Sequence, residues 1–201
     1  MPGSPWPSAP CGAEVPGRRG IVAVPAAHGG VAAVPRMDVE IPAGSEPQVA
    51  MASASLEAGQ RRIFDLIAPL TPEQLEQVPA GLANSIATLV VHVAATELRM
   101  ASRLRGPGAE IPAAQRAAYR LDLPQNPLPA ISGETADTLR NKAVQARALL
   151  REAFAGLRAA DLGRELAAGP DRTITPRWML VMLPLHQVQH YGQMQMVRRL
   201  L

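Results

Sequence analysis

At 201 residues the chain is long enough for one domain with a buried core, or for one domain and a tail. Apolar residues make up 47% but aromatics only 3%, which favours a core of Leu, Val, Ala and Met, as in helical bundles, over an aromatic-rich β-sandwich. The net charge of +3 is carried almost entirely by arginines spread along the predicted helices, with Lys142 the only lysine. No basic run interleaves with aromatics, so these charges read as solvated helix faces rather than as a nucleic-acid surface.

Cys11 is the single cysteine, which excludes an intramolecular disulfide and a thiolate metal site and fits a reducing cytosol. The apolar runs fall short of the ~20 residues of a membrane span. Arg18-Arg19 ahead of an apolar run hints at a twin-arginine export signal, but Pro25, Gly29 and Gly30 interrupt that run, so a cytoplasmic location is expected. Residues 1–50 hold nine prolines and seven glycines and show no period. The expectation is a disordered Pro/Gly/Ala-rich tail over 1–52, in part a start-site artefact with Met37 and Met51 as alternatives, and a folded domain over 53–201.

In chain order, a first long helix is expected over about 55–69, with Leu56, Ile63, Ile67 and Leu70 on one face. "TPEQ" at 71–74 has the form of a capping box with proline at the first helical position, and Pro79 and Gly81 limit it to a short turn. A second long helix runs from Asn84 or Ser85 to Arg105, where Gly106-Pro107 ends it. Residues 106–131 are proline-rich, with room for one short helix near 113–121. A third long helix begins at Ser132, with Leu139, Ala143, Ala146, Leu150, Ala153 and Leu157 as a narrow seam whose alanines admit a close neighbour. The fourth opens with Thr175 as N-cap and Pro176 at the first position, and continues to the end. These elements predict an all-α four-helix bundle. The segment after the second helix is far longer than a hairpin needs, so helices 2 and 3 should be joined by a long crossover.

"LPLHQVQHYGQMQ", residues 183–195, places His186 and His190 on the fourth helix about 40° apart at 100° per residue. Met179, Met182, Leu183, Gln193, Val197 and Leu200 share that direction, so the two histidines sit on the core-facing stripe. Pro184 removes one backbone hydrogen bond and should bend the helix just before His186. His92, in "TLVVHVAATE", lies at the margin of the apolar stripe of the second helix. His28 falls in the tail and is discounted. Two imidazoles four apart on one helix point the same way, and a third from another helix completes a facial set for a divalent metal with one position left open. The competing expectation is three hydrogen-bonded core histidines, since no self-sufficient motif such as HExxH is present.

"NSIATLVVHVAATE", followed some 90 residues later by "LPLHQVQHYGQMQMVRRLL", resembles the DinB/YfiT-like superfamily of metal-dependent enzymes. The family pattern is a histidine in the second helix and H-x-x-x-H-x-G-Q in the fourth, and His92, His186, His190, Gly192 and Gln193 match it over residues 53–201. The resemblance implies a four-helix bundle with a long crossover, a divalent metal on the three histidines and often a homodimer, and it implies no DNA binding. Many relatives read His-His-Arg-Gly-Gln where this chain has Gln189-His190-Tyr191-Gly192-Gln193; the ligand is kept, but the neighbouring histidine and arginine are not, which puts in doubt any role they play for an anionic or thiol substrate. Glu97 resembles an acidic position of the family but lies about 140° from His92 on the wheel, which makes it a packing or salt-bridge residue. Gln193 is placed to orient a ring or a water beside the metal.

Two classes of function follow. The first is an enzyme acting on a small-molecule substrate with a divalent metal (zinc, nickel, iron or copper): the resemblance implies a hydrolase, or a thiol S-transferase or isomerase using a small cellular thiol such as bacillithiol or mycothiol, and the arginine and Ala/Gly/Pro bias leans to mycothiol. No residue is identified as its general acid. The second is a non-enzymatic, metal-stabilised or metal-sensing scaffold that dimerises through Met194, Met196, Leu200 and Leu201. Neither class engages nucleic acid or membrane.

Overall fold

The computed structural model describes residues 46–169 and 171–201. The first 45 residues, with the expected disorder, Cys11, His28 and the export-signal reading, lie outside the described residues. Four long helices form the body: α1 (Pro47–Ile67), α3 (Ile86–Arg105), α5 (Ala136–Ala155) and α6 (Pro176–Arg199). Two short ones, α2 (Pro72–Glu76) and α4 (Ala113–Ala118), lie in the connections. A 3-10 turn (Ala159–Gly163) and an antiparallel hairpin, β1 (Leu166–Gly169) with β2 (Arg172–Ile174), join α5 to α6.

Local chemistry sets most of these boundaries. The Thr71 hydroxyl accepts from Gln74 N at 3.3 Å while Thr71 N donates to Gln74 Oε1 at 3.0 Å, closing the expected capping box. Ser85 and Thr175 cap α3 and α6 by accepting from Thr88 N and Trp178 N, each at 3.2 Å. Two starts differ from expectation. Helix α1 begins at Pro47, not near residue 55, so residues 47–52 are helical. Val49, Ala50 and Ala52 join its buried face, and the proline that reads as tail occupies a first-turn position where its missing N–H costs nothing. Helix α5 begins at Ala136, not at Ser132. Ile131 N donates to Thr88 Oγ1 and Gly133 N to the Glu76 carboxylate, and Thr135 then supplies the cap.

In the bundle α1 packs on α5 and α6, and α3 on the same two, so α1 and α3 stand on one diagonal, α5 and α6 on the other. Two apolar clusters fix the directions. One joins Leu56, Leu104, Leu150, Phe154, Met179 and Leu183, and the other joins Ile67, Ile86, Leu139, Met194 and Val197. Helices α3 and α5 therefore run the same way, opposite to α1 and α6. The connection from α3 to α5 must return over the ~30 Å of a 20-residue helix, which is the expected crossover. On its way it lays Tyr119 over the Ala94, Ala95 and Ala146 groove, where the phenol donates to Lys142 O at 2.8 Å.

The hairpin was not expected. Its strands of four and three residues are too short to show alternation, yet Leu166 and Ile174 close one end of the first cluster. Met194, expected on a dimer surface, is fully buried because it sits within the second cluster. Met196 and Leu200 are exposed. Pro184 lies inside an unbroken α6.

Candidate metal centre

Helices α3 and α6 run antiparallel and in contact, which brings His92 level with His186 and His190. All three candidate ligands of the sequence reading meet. His186 Nε2 lies 3.0 Å from His92 Nε2 and 3.1 Å from His190 Nε2. The ring centroids are 4.4 to 5.0 Å apart, two of the three pairs edge-on.

These nitrogens do not satisfy one another. A neutral ring nitrogen carries one proton or one lone pair, so His186 Nε2 pairs with at most one of its two neighbours. The tautomer of His190 is set from outside the cluster. Its Nδ1–H donates to Gln193 Oε1 at 2.7 Å, which turns the Nε2 lone pair toward the other rings. Gln193 thus fixes the orientation of the His190 ring. A cation ~2.0–2.1 Å from each donor separates two donors by ~2.9 Å at 90° and ~3.3 Å at the tetrahedral angle, and both measured spacings fall in that range. The three histidines are positioned to hold a metal ion.

Burial keeps the rings neutral. It lowers the pKa of His92 to about 4 and of His186 to about 3, with the charge of the neighbouring rings adding to the effect. His190 is also lowered by burial, against the opposing bond to Gln193. Neutral imidazole is the form that binds a metal.

A residue that the sequence reading missed closes the far side. His92 Nδ1 is buried with no hydrogen-bond partner. The Gln125 amide, on the crossover, lines the same small cavity and pulls the His92 pKa upward, although no bond of ordinary geometry joins them. Gln125 Nε2 is already committed to Arg120 O and Leu123 O, which leaves its oxygen as the acceptor for His92. Nothing in the local sequence of an irregular segment marks this residue.

Glu97 is removed from the site, as its wheel position suggested. It is buried and paired two-pronged with Arg147, at 2.9 Å to Nε and 2.5 Å to Nη2. Burial raises its pKa, against the charge and hydrogen bonds of Arg147. Arg147 corrects the expectation of solvated arginines, being itself buried on the α5 seam. The space beside the histidines is uneven. The cavity lined by His92 holds about 10 Å3, whereas one of about 250 Å3 lies a turn away between Leu89, Gln193 and Val197.

A four-helix bundle with three imidazoles from two helices converging at mid-height defines the class of protein. A family model described as the DinB superfamily matches residues 55–194, and the chain belongs to that superfamily. No curated protein matches it. Among solved structures it is similar to a crystal structure of a conserved protein of locus from Enterococcus faecalis, with a TM-score of 0.60 and 21% identity over 75% of this chain and 94% of that one. That likeness bears on the fold alone. No helix among the described residues is long and apolar enough to cross a membrane.

Proposed function

We propose that this chain is a metal-dependent transferase or hydrolase that takes a divalent ion at His92, His186 and His190 and uses a small thiol, such as mycothiol, with a small-molecule substrate. The observation that carries this reading is the convergence of three neutral Nε2 atoms that hydrogen bonding among themselves leaves unsatisfied. When bound, a divalent ion supplies Lewis acidity, which lowers the pKa of a coordinated thiol or water. The protein's own part is orientation: Gln193 fixes the His190 ring, and the apolar walls of α3 and α6 keep all three rings neutral. Glu97, held by Arg147, is not available as a general base.

The test is elemental analysis of the untagged full chain beside His190→Ala. About one divalent ion per chain, lost in the variant, is expected. No metal in either protein after incubation with zinc, nickel or iron(II) would overturn the reading.

A second reading, a scaffold that pairs with another copy, is favoured by one surface. Trp178, Val181, Leu185 and Val188 recur at spacings of three and four on the outer face of α6 and are 41%, 60%, 64% and 60% exposed. Sedimentation of the wild type and of Leu185→Glu decides it: a dimer that the charge dissociates supports pairing through this stripe, and a monomeric wild type removes it.

A further inference from the structure

The face of α3 that carries His92 continues beyond it. Arg99 and Arg103, seven and eleven residues on, return to within about 20° of the same direction. They lie about 10 and 16 Å further along the axis. Both are half-buried. Among the described residues neither meets a carboxylate, the ion pairs there being made by Arg105, Arg116, Lys142, Arg147 and Arg151. Arg99 Nη2 instead reaches Leu121 O on the crossover at 3.4 Å, and Arg103 Nη2 reaches Ala168 O on β1 at 3.5 Å. These are long contacts, and a guanidinium has five N–H groups to place.

The charges also act on one another. Arg103 Nη2 meets the carbonyl of Ala168, whose neighbour Gly169 pairs with Arg172 across the hairpin; after burial, the next influence on Arg103 is Arg172 and the next on Arg99 is Arg103. A line of positive charge with no anion beside it among the described residues therefore leads from the histidines to the hairpin. Partly desolvated cations are costly unless paired, and a guanidinium fork suits a carboxylate or a phosphate.

We propose that Arg99, Arg103 and Arg172 recognise the anionic end of the substrate, a carboxylate or phosphate carried two or more helical turns from the atom that meets His92, His186 and His190. This rests on the histidines being the reacting centre. It makes the arginines determinants of specificity, and the substrate an elongated molecule, acidic at one end.

Calorimetric titration of the full chain, metal-free and zinc-loaded, with mercaptohexanoate, mercaptohexyl phosphate and mercaptohexanol tests it. The acids should bind about tenfold more tightly than the alcohol, in both forms, with a preference that shrinks as salt rises. The tighter of the two acids identifies the group. Arg99→Gln and Arg103→Gln should bring the acids to the level of the alcohol, Arg99→Lys should keep part of the preference, and Arg105→Gln, on the outer surface with Glu152, should keep all of it. Arg172→Gln, at an exposed position, should lower the preference even if a change at Arg99 loses the fold. Equal binding of acids and alcohol, or a preference unmoved by these substitutions, overturns the proposal. If the alcohol still binds only with zinc, the metal reading stands. An acid preference in a protein that takes up no metal would instead overturn the metal reading and leave the arginines as an anion site.

Discussion

Two polar clusters lie at mid-height in the same bundle, share α3 and α6, and begin at neighbouring residues, His186 and Gln187. The first is closed by its own bonds, with Arg147 Nη1 alone buried without a partner. Glu97 of α3 holds Arg147 of α5, Arg147 Nη2 donates to Gln187 Oε1 at 3.1 Å, and Gln187 Nε2 donates to Leu56 O at 3.0 Å. Gln60 N also donates to Gln187 Oε1, at 3.2 Å. All four long helices are tied by one chain of bonds, which separates the two apolar clusters. The second cluster, of three imidazoles, closes nothing: its nitrogens face one another with protons and lone pairs that do not match. A buried polar group that the chain satisfies is part of the fold. Three ring nitrogens that the chain brings together but leaves unsatisfied suit the proposed ligand.

The largest expected effect comes from breaking the first cluster. Arg147→Met strands the Glu97 carboxylate and leaves Gln187 short of a donor, and should cost about 3–5 kcal/mol of stability by urea unfolding. Replacing both partners, Glu97→Leu with Arg147→Met, should recover most of it. A double variant as unstable as the single one would show that the pair does more than balance its own burial.

Acid should act on the unsatisfied cluster. The histidine pKa values lie below their usual 6.5 in the folded chain, so below pH 6.5 the unfolded chain takes up protons first. Stability of the metal-free protein is thus complete above about pH 6.5 and falls as the pH drops through about 4 and towards 3. His92→Asn with His186→Asn should flatten that part of the profile. A wild-type curve that is level from pH 7 to 4.5 would contradict the burial of the rings.

Gln193→Ala should be smaller and selective. Loss of the group that fixes the His190 tautomer is expected to weaken zinc retention by about 10- to 100-fold in a chelator competition. Its side chain is exposed, so the thermal midpoint of the metal-free protein should not move. Unchanged zinc retention would make the 2.7 Å bond incidental.

The contrast between the clusters also marks how far the sequence could be read. Helices α3 and α6 were legible because their apolar period runs over many turns and a serine and a threonine stand at their starts. The three histidines were legible because two share a helix face and a third faces them once the helices pack. Arg147 left a usable trace, four residues after Ala143 and three before Leu150 on the seam, but an arginine among many reads as surface until a partner is known. Gln187 left none, since it sits between two histidines that claim the attention of any wheel. The start of α1 was hidden by proline, and the hairpin by its length. Gln125 and the arginine line depend on where the crossover and hairpin return, which no local period encodes.

The smallest change proposed bears on how closely the first cluster is fitted. Gly59 lies in mid-helix, where glycine usually costs about 1 kcal/mol relative to alanine, so Gly59→Ala would stabilise α1 if space allowed. It does not: a Cβ there would stand 2.4 Å from the Gln187 amide. A glutamine at the protein surface would swing away, but this one is 2% exposed and held by α1 and Arg147. Displacing it breaks bonds worth about 0.5–1.5 kcal/mol each, so the gain in helix propensity is more than offset and a net loss of about 1 kcal/mol is expected. Adding Gln187→Ala should reverse the sign of the Gly59→Ala effect, because the obstructing amide is gone. A double-mutant cycle in which the two changes simply add would mean that the amide yields without cost and that the glycine answers only to the backbone.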